Sequence, residues 1–380
     1  MTKEDISVKI GYILNNQIED KRAWSGTFYN LATVIKKHHK IVPLLVPHDT
    51  IEKVIKGFYF ICSFGKRKSG YLLQKYNSYR LDKVLKKSVC DVYFAPAQSE
   101  LISFGVPNDK KLIYLSDAVF RLMVGYYWTG MDSKTEQYLD HCETIALKRA
   151  DTVVFSSEWA KNGAISLYRT PPQKIHVLPF GANLVDQYQG YQDCDLDDNI
   201  IRLLLVGVDW KRKGIDIAID CVRTLNKVQK KYSFDLTIIG VEKPAGQKYE
   251  SYIHILGRLN KNIPEEYERM ISYYQKSDLF ILPTKAECSA IVFSEASEYG
   301  LPVITHKTGG VETYVEDGVT GRCLPLGSTG GDFAAAIMDI IENGCLEKYS
   351  KAARAKYEKE LNWDSWLKSF DRIVADLIPD

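Results

Sequence analysis

Short apolar runs that recur between longer helical stretches constrain this chain more than any other feature. Val8 to Leu14, Ile41 to Val46, Val92 to Ala95, Leu112 to Leu115, Thr152 to Ser156 and Ile175 to Leu178 each read as a strand, and helical segments separate them. Alternation of that kind predicts parallel sheets joined by right-handed crossovers, so the first half forms one doubly wound unit. Pro179-Phe180-Gly181-Ala182-Asn183 breaks the pattern, the polar stretch Gln187 to Asn199 reads as an interdomain linker, and a second unit opens with Ile201 to Val206. With 380 residues, 45% of them hydrophobic, the chain can bury two ordinary cores. The expected division is a domain over 1–186, a linker over 187–199, a second domain over 200–358, and a terminal helix within 359–380 that sets Trp363, Trp366, Leu367 and Phe370 on one side.

Composition narrows the function classes. The start, MTKEDISVKIGYIL, carries acidic residues and only a brief apolar strand, and no stretch approaches the 18 apolar residues of a membrane span, so a cytoplasmic protein is expected. Cysteines 62, 90, 142, 194, 221, 288, 323 and 345 show no zinc-like spacing and read as reduced thiols. The net charge of +2 hides an asymmetry: residues 1–180 hold 26 Lys and Arg against 17 Asp and Glu, and the remainder 24 against 31. Lys66-Arg67-Lys68 and the helical stretch with Lys75, Arg80, Lys83, Lys86 and Lys87, interleaved with Tyr71, Leu72, Leu73, Tyr76 and Leu85, fit either a contact with anionic lipid at the inner membrane face or a solvated helix face. Nucleic acid is not expected, since no recognised binding module accompanies the charge. A dinucleotide enzyme is poorly supported, because no G-x-G-x-x-G follows either domain's first strand.

The chemistry concentrates near the C-terminus. Leu279 to Leu282 is a short strand ended by Pro283, so Glu287 falls in the loop beyond a strand's carboxyl end, where open α/β sheets bind ligands. A helix is predicted from Ile291, placing Glu295 in its first turns. Two carboxylates so placed can grip different parts of one polyol ligand. Spacing alone also allows a solvated Glu295 and a simple loop charge at Glu287. Glu295-Ala296, Gly300-Leu301-Pro302-Val303, Gly309-Gly310, Glu312 and Gly318-Val319-Thr320-Gly321 follow in order. With them, the segment resembles the E-x7-E region of retaining glycosyltransferases of the GT-B class, family-4 type.

That resemblance implies an α/β fold of GT-B architecture, with two Rossmann-like domains facing across a cleft and a C-terminal helix crossing back to the first. It implies that Glu287 contacts hydroxyls of the transferred sugar and Glu295 the ribose of the nucleotide. In Gly207-Val208-Asp209-Trp210-Lys211-Arg212-Lys213-Gly214, Lys213 aligns with the family lysine that braces the diphosphate, while Val208 stands where the family has arginine. Arg212 or Lys211 is then the candidate substitute, and a plain exposed lysine at a turn is the alternative for Lys213. Where relatives have E-G-F-G, this chain has Glu287-Cys288-Ser289-Ala290; Ser289, Ala290 and Ile291 are small or helix-opening residues past which backbone amides can meet phosphate. Gly26, after Ser25 and before Thr27, matches the family's N-terminal glycine loop, or is a turn residue. The family commonly sets a histidine at the end of an N-domain strand; Tyr114-Leu115-Ser116-Asp117-Ala118 offers Asp117 instead, either facing the sugar or, with Ser116, capping a helix over Val119 to Met123. His38-His39 reads as a helix cap. The nucleobase is expected over Gly257-Arg258-Leu259-Asn260, after a strand at Ile253 to Leu256.

The implied reaction is retaining transfer from a UDP- or GDP-sugar to a glycan or lipid-linked hydroxyl, with the nucleotide-sugar as co-substrate and no metal or other cofactor. Leaving-group stabilisation by Lys213 and attack on the same face carry it. No carboxylate nucleophile of the hydrolase kind is evident. Asp193-Cys194-Asp195 has the form of a metal-binding D-x-D but lies in the polar linker. Alternatives in the same architecture are a sugar-nucleotide epimerase or a glycosyl phosphorylase, and, from another class, a catalytically weak partner subunit.

Overall fold

The structure, a computed structural model, describes residues 7–19, 23–64, 70–103, 105–191 and 199–378. Two compact units make up the chain. One runs to Leu178 and takes in the stretch from Trp366 onward; the other spans Pro179–Ser365.

The first unit holds a six-stranded parallel sheet of β1 (Lys9–Leu14), β2 (Lys40–Leu45), β3 (Val92–Pro96), β4 (Leu112–Ser116), β5 (Thr152–Phe155) and β6 (Ile175–Val177), in the order β2-β1-β3-β4-β5-β6. β3, β4 and β5 are buried throughout, as expected of parallel strands covered on both faces. The terminal helix Trp363–Leu377 buries Trp366, Leu367 and Phe370. Phe370 stacks on Trp366 and meets Phe94 of β3 edge-on, with centroids 4.9 and 5.3 Å apart. His38 and His39 do not cap a helix. They grip one carboxylate of the terminal helix, with His38 Nδ1 2.7 Å from Asp371 Oδ2 and His39 Nε2 2.9 Å from Oδ1.

The second unit holds β7 (Ile200–Val206), β8 (Ser233–Ile239), β9 (Ile253–Ile255), β10 (Leu279–Leu282), β11 (Val303–His306) and β12 (Gly321–Leu324), all parallel, in the order β12-β11-β10-β7-β8-β9. The chain leaves β7 toward β9 on one side and returns at β10 on the other. The strand order therefore reverses between β7 and β10, and the crevice outside their carboxyl ends is the ligand position of a doubly wound sheet. Residues 179–186, grouped with the first domain on sequence grounds, belong to this unit because their backbone is tied to it. Phe180 N–H donates to the Tyr314 hydroxyl at 3.1 Å, Ser294 Oγ donates to Phe180 O at 2.8 Å, and Tyr299 donates to Val185 O at 2.7 Å. Most of the expected linker, including Asp193-Cys194-Asp195, and the Lys66-Arg67-Lys68 run lie outside the described residues.

Candidate functional site

The turn after β7 delivers a cation to the point where the strand order reverses. Asp209 Oδ1 accepts the Arg212 amide at 2.8 Å and Asp209 O accepts the Lys213 amide at 3.0 Å, curling Gly207 to Gly214 into the start of the helix Ile215–Val228. Gly214 sits at φ 67°, and a Cβ there would stand 2.1 Å from Pro283 O, so only glycine lets this turn close against the end of β10. The Lys213 ammonium then donates to Glu287 Oε2, with both side chains 9% exposed. Lys213 is thus not an exposed turn lysine, and Glu287 is not a free loop charge.

Arg212 reaches the same place. Its Nη1 donates to Ala286 O at 3.1 Å and lies 3.8 Å from Glu287 Oε2, whereas Lys211 stays exposed. Val208 is 63% exposed at the strand end. Gly310 N–H donates to Glu287 O at 3.0 Å, which fixes the carboxylate's loop to the Gly309-Gly310 turn.

Glu295 lies on the helix Ile291–Glu298 and is 2% exposed, which removes the reading of a solvated helix residue. Its two oxygens have separate partners. The buried Tyr274 hydroxyl donates to Oε2 at 3.0 Å, and Lys261 Nζ donates to Oε1 at 2.6 Å. The structure therefore builds two lysine–carboxylate pairs rather than one cluster. Ser289, half-buried, and Ala290 precede this helix; Ala290 is its N-cap position and no side chain caps it. Glu298, one turn beyond Glu295, is 1% exposed. Burial pushes its carboxyl up to about 8, against the hydrogen bond from Tyr357, and the Glu295 charge adds to the rise.

Beyond β7, β8 and β9 a cavity of about 590 Å³ opens, lined by Val208, Trp210, Glu242, Pro244 and Arg258 among others. Gly240, which also lines it, donates its N–H to Gly257 O at 2.8 Å. The loop that follows carries both Arg258 and Lys261, so it joins this cavity to Glu295.

In the first unit, Gly26 closes a run of three left-handed residues: Trp24 at φ 49°, Ser25 at φ 57° and Gly26 at φ 88°. Two non-glycine residues in that region store strain, a feature that clusters at ligand clamps. Trp24 Nε1 donates to Asp117 Oδ2 at 3.2 Å, tying the loop after β1 to the end of β4. Asp117 is not a helix cap: the helix Phe120–Met123 has Val119 at its N-cap position without a side-chain bond, and Ser116 Oγ donates to Ala118 O. Among the described residues no group of three or more His, Cys, Asp or Glu could hold a metal ion.

Sequence reasoning missed Lys261 and Tyr274, which reach Glu295 from 34 and 21 positions away. No local spacing marks them.

Residues 193–359 match the family model described as glycosyl transferases group 1. Among curated proteins, the chain is 23% identical over 247 residues to D-inositol 3-phosphate glycosyltransferase 1 of Catenulispora acidiphila, covering 61% of this chain and 58% of the relative. It is 24% identical over 249 residues to D-inositol 3-phosphate glycosyltransferase of Mycobacterium leprae, covering 62% and 57%. The chain thus spans under two thirds of the length of these relatives. Among solved structures, a glycosyltransferase from Rickettsia africae superposes with a TM-score of 0.67 at 15% identity, over 99% of this chain and 100% of that one. Anabaena Alr3699/HepE in complex with UDP and glucose gives 0.64 at 14%, over 97% and 100%. The fold is GT-B.

Proposed function

We propose, from the match of residues 193–359 to the family model of glycosyl transferases group 1, that this chain is such a transferase and moves a sugar from a UDP- or GDP-sugar to a hydroxyl of a glycan or lipid-linked acceptor, with retention and without a metal. The observation that carries this reading is the Lys213–Glu287 pair at the strand-order reversal, with Arg212 beside it. A diphosphate entering there meets Lys213 and Arg212 as counter-charges, and the exchange releases Glu287 to accept hydroxyls of the transferred sugar. Arg212 then serves in place of the arginine that Val208 replaces. Glu295 accepts the ribose hydroxyls. The departing phosphate takes the acceptor's proton as the new glycosidic bond forms on the same face, so positioning and electrostatics supply the rate. Asp117, fixed by Trp24, orients the acceptor side. A solved neighbour in complex with UDP and GlcNAc, and Alr3699/HepE with UDP-glucose, make nucleotide-sugars the donors to test first. The experiment is nucleoside diphosphate release from UDP- and GDP-sugars in EDTA with anomeric analysis of the product. Retained configuration and loss of release in Lys213→Ala are expected; inverted product, or wild-type release that needs metal, overturns the respective element.

A second observation favours work at a membrane face. No described helix is long and apolar enough to cross a membrane. The helix Thr50–Cys62, however, exposes Ile51, Val54, Phe58 and Ile61 at helical spacing, 53–76% each. Residues 51–90 carry ten Lys and Arg against Glu52 and Asp82. An apolar stripe in basic surroundings fits the interface of an anionic bilayer. In the helix Tyr71–Leu85, the sequence-based candidate, Leu73 and Leu85 are buried while Tyr71 and Leu72 are exposed. Co-sedimentation with phosphatidylglycerol vesicles, lost in Val54→Asp/Phe58→Asp, tests the contact; equal sedimentation of the variant removes it.

A further inference from the structure

We infer that the cavity beyond β7, β8 and β9 reads guanine, so that the donor is a GDP-sugar; this rests on the nucleotide-sugar reading above. Three positions step along the second unit. Lys213 and Glu287 stand at the strand-order reversal, Glu295 is held by Lys261, and Arg258, three residues before Lys261, lines the cavity. A diphosphate at the first and a ribose at the second leave the base at the third.

The cavity's polar groups differ from those of the other two positions. Glu287 and Glu295 are each neutralised by a lysine. Among the described residues neither Glu242 nor Arg258 makes a hydrogen bond or ion pair, with each other or with anything else. Lys243, next to Glu242, lies 5.5 Å over the Tyr249 ring instead. Glu242 and Arg258 are both exposed, and the Glu242 carboxylate lies over the backbone at the end of β9, where a Cβ on Gly257 would stand 3.0 Å from its Oε1. Trp210, its indole N–H fixed on Asp216 at 2.7 Å, joins Val208 and Pro244 as apolar wall for a ring.

An ionised carboxylate only accepts hydrogen bonds, and it binds best a group that offers two adjacent donors. Guanine does so with its N1–H and 2-amino group. Uracil has one N–H between two carbonyls that would oppose the charge, and the amino groups of adenine and cytosine each sit beside a ring-nitrogen lone pair. Arg258 supplies donors alone, the complement of guanine O6 and N7. Carboxylate and guanidinium together match one base of the four.

The test is calorimetric titration of the full chain, without metal, with GDP, inosine diphosphate, UDP and ADP. Guanine recognition predicts GDP binding roughly tenfold or more tighter than UDP, the scale of one bidentate base contact. Inosine lacks the 2-amino group, so GDP should also exceed inosine diphosphate, and Glu242→Gln should erase that second difference. UDP or ADP binding as tightly as GDP overturns the guanine assignment and leaves the nucleotide-sugar reading standing. An unchanged ratio of GDP to inosine diphosphate in Glu242→Gln overturns the role of Glu242. No binding of any of the four overturns the nucleotide-sugar reading itself.

Discussion

Lys213 and Glu287, 74 positions apart, form an ion pair in which each side chain is 9% exposed. Removing one member of a buried pair strands the other charge, which costs about 3–5 kcal/mol when nothing replaces it. Arg212, 3.8 Å from the same carboxylate oxygen, offsets part of that. Lys213→Met is therefore expected to destabilise the second unit by about 2 kcal/mol, and Lys213→Met/Glu287→Leu by less than the single change. Urea titrations of wild type, both single variants and the double variant measure the coupling. Additive effects would mean the pair is not formed in solution.

Tyr274 donates to Glu295 from a site with no exposure, so Tyr274→Phe leaves one carboxylate oxygen without its buried donor. The expected cost is about 1–3 kcal/mol in thermal stability, with weaker nucleotide binding because Glu295 loses its fixed orientation. Lys261→Met removes the counter-charge of a carboxylate that is 2% exposed; water reaches Lys261, which is 32% exposed, and offsets part of the cost, so a loss of about 2 kcal/mol is expected. Differential scanning calorimetry of both variants, with and without nucleoside diphosphate, measures the two losses; unchanged stability in Lys261→Met would mean that the Lys261–Glu295 pair is not formed in solution.

The alternation of elements was readable because buried parallel strands are nearly continuous apolar runs, and Leu279 to Leu282 matches β10 at both ends. β8 was not read from sequence: Ser233–Ile239 places the half-exposed Asp235 and Thr237 between buried Phe234, Leu236 and Ile238, and a mixed run of that kind carries a weaker signal. The carboxylates of the site were legible because their spacing and flanking glycines are local. Lys261 and Tyr274 were not, because strand order brings them to Glu295; Lys213 and Arg212 were named from their own turn, but their approach to Glu287 was not. His38 and His39 failed as a cap for the same reason, since Asp371 lies more than 330 positions away.

Two buried carboxyls should set the pH dependence of stability. Burial pushes Glu298 up to about 8 and Glu143, which accepts from the Tyr114 hydroxyl, up to about 7. A carboxyl whose folded pKa lies above its unfolded value binds a proton more tightly in the folded state. Its stabilising contribution is complete below about pH 4.5 and is lost as pH rises through the folded value. Thermal stability is expected to fall between about pH 5 and 8, by up to ~1.4 kcal/mol per pH unit for each group. Glu298→Gln, neutral at every pH, should flatten the upper part of that slope. A wild-type profile that rises over this range would contradict both protonated carboxyls.

On the proposed reading Val208 takes the strand-end position of a second diphosphate cation, and it is 63% exposed. Nothing there obstructs a longer side chain, so Val208→Arg should fold normally and place a guanidinium beside Lys213. A charge-assisted hydrogen bond contributes about 1.5–3 kcal/mol, so nucleoside diphosphate binding should tighten by roughly tenfold or more. Arg212→Ala should weaken binding in the wild type and much less in the Val208→Arg background, because the new arginine takes over its charge. Calorimetry on the four proteins gives the interaction energy directly. If Arg212→Ala is equally damaging in both backgrounds, Arg212 serves the Ala286–Glu287 loop alone and does not stand in for the missing arginine.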